Sequence, residues 1–134
     1  MPKVRPLNEK KYNINKHRFW ELYHFCLQYN NWKTELSELR NKIGVSNINN
    51  ISFSKNISDI TSETTFKIIE LEDKCSIIEK TAFEADSIIY KYIIEAVTNE
   101  NITYNYLRHK GIPCGKDMYY NRRRKFYWLL SKKI

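Results

Sequence analysis

Apolar residues recur near the start of this chain at the i, i+3, i+4, i+7 spacing that is typical of amphipathic helices. The first stripe comprises Phe19, Leu22, Tyr23 and Cys26. The second stripe comprises Trp32, Leu36, Leu39 and Ile43. The pattern predicts helices over 15–29 and 32–43, divided at Asn30-Asn31 and ended by Gly44. We therefore expect an N-terminal helix pair within residues 1–44, in which the basic, proline-containing residues 1–14 are frayed.

The middle of the chain changes character twice. Residues 45–58 are rich in Ser and Asn and poor in charge, which predicts a flexible linker. Beyond it, apolar residues alternate steps of three and four over four heptads. These residues are Ile68, Leu71, Cys75, Ile78, Ala82, Ala85, Ile89, Tyr92 and Ala96. The stripe is either a core seam within the chain, which the short length favours, or the seam of a homodimer through residues 68–96.

The polar positions of this middle segment are acidic, because residues 59–100 contain ten Asp and Glu against four Lys. Asp86-Ser87 is a pair of residues suited to capping a new helix. We therefore expect acidic helices here, either one long rod or two packed helices.

The last part of the chain has the components of a helix-turn-helix. Thr103 can cap a short helix, Gly111 suits a tight turn, and a second helix is predicted over 116–131. On this second helix we expect an inward face made by Tyr119, Phe126 and Leu130, with Met118 and Leu129. We expect a separate face made by Lys116, Tyr120, Arg123 and Tyr127. The predicted layout for residues 59–134 is therefore acidic helices followed by a basic helix-turn-helix over 103–131.

The net charge of the protein lies in this last segment. The whole chain of 134 residues has a formal charge of +8, and residues 103–134 carry nine Lys and Arg against the single acid Asp117. Because large apolar residues interleave these charges, a folded cationic helix is expected rather than a disordered basic tail. Such a surface predicts a polyanionic partner such as DNA or RNA, and the helix-turn-helix layout favours double-stranded DNA. The candidate nucleic-acid-binding residues are Arg108, Lys110, Lys116, Tyr120, Asn121, Arg122, Arg123, Arg124, Lys125 and Tyr127.

Composition favours an all-α fold. The chain contains three Gly and three Pro, too few for the turns of an all-β protein. It has no apolar run of the length that spans a membrane, and residues 1–16 lack the apolar core of a signal peptide. The three cysteines are odd in number and widely spaced, which predicts reduced thiols in a cytoplasmic protein.

No pattern in the sequence predicts an enzyme. There is no glycine-rich phosphate loop, no nucleophile elbow and no zinc-protease motif, and no cofactor is expected. His17 and His24 can share a helix face, but they lack a third ligand, so no metal site is predicted. Cys114 lies near Lys116 and a helix start, which would lower the pKa of its thiol, although a small packing residue is the favoured interpretation.

Two stretches carry a resemblance to a known family. Residues 29–36 are YNNWKTEL, and residues 103–133 are TYNYLRHKGIPCGKDMYYNRRRKFYWLLSKK. This layout resembles the RinA and ArpU type of late transcription regulators of Gram-positive phages. The resemblance implies a helical bundle with a C-terminal helix-turn-helix similar to sigma-factor region 4. It also implies sequence-specific binding at late or packaging-gene promoters in the bacterial cytoplasm, with host RNA polymerase as a partner.

Three other functions remain open at this point. A small-terminase-like packaging or structural DNA-binding protein would also pair a helix-turn-helix with an oligomerising helix. A single-strand or RNA binder would stack bases on the tyrosines and on Trp128. A protein that inhibits a host factor would use the same charge to bind an acidic partner.

Overall fold

The computed structural model describes residues 4–43 and 55–134, and within these ranges it is helical with no strands. The helices are α1 (Glu9–Tyr12), α2 (Lys16–Leu27), α3 (Tyr29–Lys42), α4 (Lys55–Ala85), α5 (Tyr90–Thr98), α6 (Tyr104–His109) and α7 (Lys116–Ser131). The all-α expectation is therefore confirmed. Within the same ranges, no helix is both long enough and apolar enough to cross a lipid bilayer.

The chain forms two compact units. The first comprises the residues up to Gln28 together with Ile77–Ile134, and the second comprises Tyr29–Ser76. The predicted N-terminal pair, α2 and α3, is thus divided between the units. In the first unit α2, α5 and α7 contact one another pairwise, and their apolar stripes form one core. Its buried residues include Phe19, Leu22, Ile93, Val97, Phe126 and Leu130.

The second unit pairs α3 with the first part of α4. Trp32 and Leu36 on α3 are buried, as are Leu71 and Cys75 on α4. At its surface the guanidinium of Arg40 lies 3.3 Å from a carboxylate oxygen of Glu72. Because both side chains are about half exposed, this ion pair adds little to stability.

Three sequence expectations need correction at the N-terminal end. The α2–α3 division falls at Gln28 rather than at Asn30-Asn31, which lie within α3. The start of the chain is not frayed throughout, because Leu7 and Ile14 are buried and the side chain of Asn8 caps α1. Of the predicted linker, residues 55–58 belong to α4; its earlier part and Gly44 lie outside the described residues.

Most residues of the heptad stripe are buried by other residues of the same chain. Leu71, Cys75, Ile78, Ala82, Ala85, Ile89 and Ala96 are buried, and Ile68 and Tyr92 are half-buried. A seam already covered by the protein's own residues offers no exposed apolar strip to a second copy. The core-seam interpretation therefore accounts for the pattern, and the homodimer through residues 68–96 has no support.

A carboxylate divides the acidic segment into two helices, as the Asp86-Ser87 pair predicted. The Oδ1 atom of Asp86 accepts hydrogen bonds from the backbone N–H groups of Ile88 at 2.8 Å and Ile89 at 3.0 Å. These donors precede α5 and have no partner within a helix. The side chain thus holds the turn that redirects the chain from α4 into α5.

The connection from α6 to α7 begins with a helix cap and contains a left-handed turn. Thr103 caps α6 by accepting a hydrogen bond from the N–H of Tyr106 at 3.1 Å. Gly111 has a φ of 97°, which lies in the region that side chains disfavour. The hydroxyl of Tyr104 then donates to the carbonyl of Cys114 at 2.6 Å, which ties α6 to the end of the connection.

Gly111→Ala should lower the free energy of unfolding by about 1–2 kcal/mol, because alanine is strained at positive φ. Gly115→Ala is the matched control, since its φ is −78° and an added Cβ would meet no atom within 4 Å. Gly115 is the N-cap residue of α7, where alanine is less favourable than glycine, so this second change should cost about 0.5 kcal/mol. Urea denaturation followed by circular dichroism measures both, and equal losses would contradict the strain argument.

Candidate nucleic-acid interface

Helix α7 packs on the core by one face and leaves the rest of its surface to charged residues. Tyr119, Phe126 and Leu130 are buried as predicted. Met118, expected to face inward with them, is 41% exposed, which corrects that expectation. Arg18 of α2 donates hydrogen bonds to the carbonyls of Ser131 and Ile134, holding the end of the chain to the first unit. The cationic segment is therefore an ordered helix.

Four of the ten candidate residues are exposed cations without an acidic partner in the described part of the chain. They are Arg108 on α6 and Lys116, Arg124 and Lys125 on α7. The one acid on α7, Asp117, lies in its first turn, where it interacts favourably with the helix dipole. An exposed surface whose cations lack carboxylate partners is suited to a polyanion.

Three other cations of residues 103–134 are paired with the protein's own carboxylates. Arg122 Nε lies 3.1 Å from Asp86 Oδ2, and Lys110 Nζ lies 3.0 Å from Glu95 Oε2. Lys133 Nζ lies 2.7 Å from Glu84 Oε1. These pairs reduce the charge that Arg122 and Lys110 can offer to a nucleic acid.

The Lys110 pair is reinforced by a tyrosine. The hydroxyl of Tyr106 donates to Glu95 Oε2 at 2.8 Å. Burial opposes ionisation of Glu95, but the hydrogen bonds from Tyr106 and Lys110 outweigh it and lower the pKa of the carboxyl. The carboxylate is therefore held in its charged form against α6.

Arg123 occupies a different environment from its neighbours. Its side chain is half-buried, and no carboxylate contacts it among the residues that the structure describes. Burial disfavours its charged form, but the hydroxyls of Tyr127, Tyr119 and Tyr120 raise its pKa overall. The hydroxyls of Tyr119 and Tyr127 are themselves buried without a well-formed hydrogen bond. Arg123 is thus a guanidinium surrounded by phenols rather than a freely exposed cation.

The expected exposure of Tyr127 is also corrected. Its side chain is 2% exposed, and its ring meets Phe19 of α2 edge to face with a centroid distance of 5.0 Å. Burial raises the pKa of its hydroxyl above the ordinary value. Tyr120, on the same face, is half-buried, so this face of α7 is partly covered by the first unit.

The outermost ridge of α7 carries Asn121 and Lys125, with Arg124 beside them. All three are exposed, and Asn121 and Lys125 are separated by one helical turn. The side-chain oxygen of Asn121 accepts from Arg122 at 2.8 Å, so its amide group remains free to donate. This ridge is more exposed than the face of α7 that carries Tyr127.

The histidines and Cys114, which were considered for metal or thiol chemistry, lie in ordinary surroundings in the described part of the chain. The described residues contain no cluster of three His, Cys, Asp or Glu that could hold a metal ion. Burial and the nearby Asp86 raise the pKa of the Cys114 thiol, which is opposite to the lowering considered from its position. His109 makes a 2.7 Å hydrogen bond with the backbone carbonyl of Asn105.

Two residues near the candidate site were missed by sequence reasoning. Asp86 was expected only to cap a helix, yet it also pairs with Arg122. Arg5 was assigned to a frayed segment, yet it lies close to Arg123 and Arg124 in the fold. The available signal in the sequence was Leu7, because leucine is among the residue types that are most often buried.

The chain matches no family model, no curated protein and no solved structure. The likeness to phage late regulators consequently depends on the residues and spacings given above.

Proposed function

We propose that this protein is a sequence-specific double-stranded DNA-binding transcriptional regulator of the phage late-regulator type. The α6–α7 segment binds the duplex, and α7 presents its outer ridge to the major groove. Host RNA polymerase is the proposed second partner, and late or packaging-gene promoters are the proposed targets.

One observation carries this proposal: the exposed cations of α6 and α7 lack carboxylate partners among the described residues. On a surface whose charges are merely solvated, both signs are normally mixed. Here Arg108, Lys116, Arg124 and Lys125 are all exposed, and Asp117 is the only acid on α7. Phosphate oxygens would supply the missing counter-charges.

The ridge also offers groups that distinguish bases. Arginine can donate two hydrogen bonds to guanine, and asparagine can pair with adenine. Arg124 and Asn121 are exposed and able to fill these roles, whereas Arg122 is engaged with Asp86 and Arg123 is half-buried. Lys116, Lys125 and Arg108 would contact phosphates and fix the orientation.

Duplex binding should weaken steeply with salt. If Arg108, Lys116 and Lys125 each neutralise one phosphate, the slope of log affinity against log salt concentration is about −3. Fluorescence anisotropy with a labelled duplex at several salt concentrations measures this slope. A flat salt response would contradict the proposal.

A charge-matched pair of variants locates the contact. Arg124→Gln/Lys125→Gln removes two ridge cations and should reduce the slope to about −2. Lys80→Gln/Lys91→Gln removes two exposed cations of α4 and α5 and should leave the slope unchanged. Equal reductions in the two variants would place the duplex elsewhere.

Specificity is tested separately by selecting bound duplexes from a random-sequence pool. The protein should enrich one motif, and Asn121→Ala should relax that motif at one position while lowering overall affinity by about tenfold. A single-stranded competitor should displace the duplex poorly. Preferred binding of the single strand would favour base stacking over groove recognition.

A further inference from the structure

The first unit contains a cavity on the side of α7 opposite to the Asp86 pair. Its volume is about 590 Å³, within the range of small-molecule sites. The segment from Val4 to Leu7 forms one wall, and the Lys116 side of α7 forms the other. The face that we expected to enter a DNA groove is therefore covered in part by the start of the chain.

The charge of this cavity is entirely positive. Arg5, Lys116, Arg123 and Arg124 line it, and no carboxylate does. None of the four forms an ion pair within the described part of the chain. Arg123 interacts with the hydroxyls of Tyr127 and Tyr119 but with no carboxylate of the described residues. Because a half-buried guanidinium is costly without a counter-charge, a bound anion would supply the charge that the lining lacks.

The remaining lining is aromatic and apolar. Phe19, Tyr120 and Tyr127 contribute rings, and Leu7 adds an aliphatic side chain. Phe19 and Tyr127 are buried, so the half-buried Tyr120 is the ring on which a planar group can stack. Because Arg5, Lys116 and Arg124 are exposed, a ligand can enter past them and reach Arg123.

We propose that this cavity binds a nucleoside 5′-phosphate. The phosphate lies among Arg5, Lys116 and Arg123, and the base lies against Tyr120. This ligand class combines the two features that the lining demands, an anion and a planar ring. The proposal goes beyond duplex binding and does not rest on it. Lys116 and Arg124 belong to both proposed sites, but Arg5 and Arg123 line the cavity without belonging to the duplex-binding ridge, and Arg108 and Lys125 lie outside the cavity.

Calorimetric titration of the full chain with ADP, adenosine and pyrophosphate tests the two halves of the site. ADP should bind with at least about tenfold higher affinity than either fragment, since adenosine lacks the charge-assisted hydrogen bonds and pyrophosphate lacks the ring. Pyrophosphate binding as tightly as ADP would overturn the proposal, and so would an absence of ADP binding at millimolar concentration.

Variants then assign the binding to this cavity. Arg123→Met keeps the side-chain volume but removes the charge, and it should weaken ADP binding by about 10- to 100-fold. Arg5→Gln changes an exposed residue and should weaken it by about fivefold, which covers the case that Arg123→Met fails to fold. Arg108→Gln, an exposed unpaired cation outside the cavity, is the control. An equal loss in Arg108→Gln would overturn the assignment.

A phosphate next to a base is found both in a free nucleotide and at the 5′-phosphorylated end of a nucleic-acid strand. A short single-stranded oligonucleotide with a 5′-phosphate, compared with the same strand bearing a 5′-hydroxyl, distinguishes these sources. Displacement of ADP by the phosphorylated strand alone would indicate a strand end as the ligand. Displacement by neither strand would indicate the free nucleotide. Equal displacement by both strands would show backbone binding and overturn the proposal.

Discussion

Phe126→Ala should lower the free energy of unfolding by about 3–5 kcal/mol, which is the usual cost of emptying a buried aromatic site. Phe126 is fully buried, and its ring meets Tyr127 edge to face with a centroid distance of 5.3 Å. It lies on the α7 face that packs in the first unit. Because domains of this size are stable by only about 5–15 kcal/mol, the variant should be close to unfolded at room temperature.

Met118→Ala is the matched control on the same helix. Its side chain is 41% exposed, so truncation leaves no cavity and should cost less than about 0.5 kcal/mol. Urea denaturation followed by circular dichroism gives both values. A large loss in Met118→Ala together with a small one in Phe126→Ala would mean that α7 is rotated about its axis relative to this structure.

Phe126 and Met118 also show how far the sequence pattern predicts the packing of α7. Spacing alone located α7 over Lys116–Ser131 and identified Tyr119, Phe126 and Leu130 as buried. It could not predict which residues on either side of this face are also buried, because that depends on which helices pack against α7. The contact with Phe19 brings Tyr127 into the core, while Met118, on the other flank, stays exposed.

The charges of the candidate interface show a similar limit. The surplus of cations in residues 103–134 can be read directly from the sequence. Which cations remain unpaired depends on the tertiary fold, since Arg122 meets Asp86 across 36 positions of the chain. The cavity beside Arg5 and Arg123 was missed for the same reason: its walls come from opposite ends of the sequence.

Asp86→Ala should lower the free energy of unfolding at neutral pH by about 2–4 kcal/mol, because it leaves several groups unsatisfied at once. The Asp86 side chain is 8% exposed and pairs with Arg122. It also accepts from the N–H groups of Ile88 and Ile89. Glu84→Ala is the control, since Glu84 is half exposed and forms a surface ion pair with Lys133, and its loss should cost about 0–1 kcal/mol.

The pH dependence of the Asp86 contribution has a definite sign. Burial alone would raise the pKa of this carboxyl, but the hydrogen bonds from Ile89, Ile88 and Arg122 and the charge of Arg122 lower it below its ordinary value of 3.8. A carboxyl whose pKa is lower in the folded than in the unfolded protein stabilises the fold above the unfolded value. That contribution is lost as the pH falls through the folded value.

The difference in unfolding free energy between the native chain and Asp86→Ala should therefore be constant from pH 7 to pH 5 and shrink below pH 4. Asp86→Asn keeps an acceptor for the two N–H groups but removes the charge, so it should show a smaller deficit at neutral pH. Urea titrations at several pH values measure all three proteins. A deficit for Asp86→Ala that grows as the pH falls would mean that burial raises the pKa of this carboxyl in the folded protein, and it would contradict the stabilising role of the hydrogen bonds from Ile88, Ile89 and Arg122.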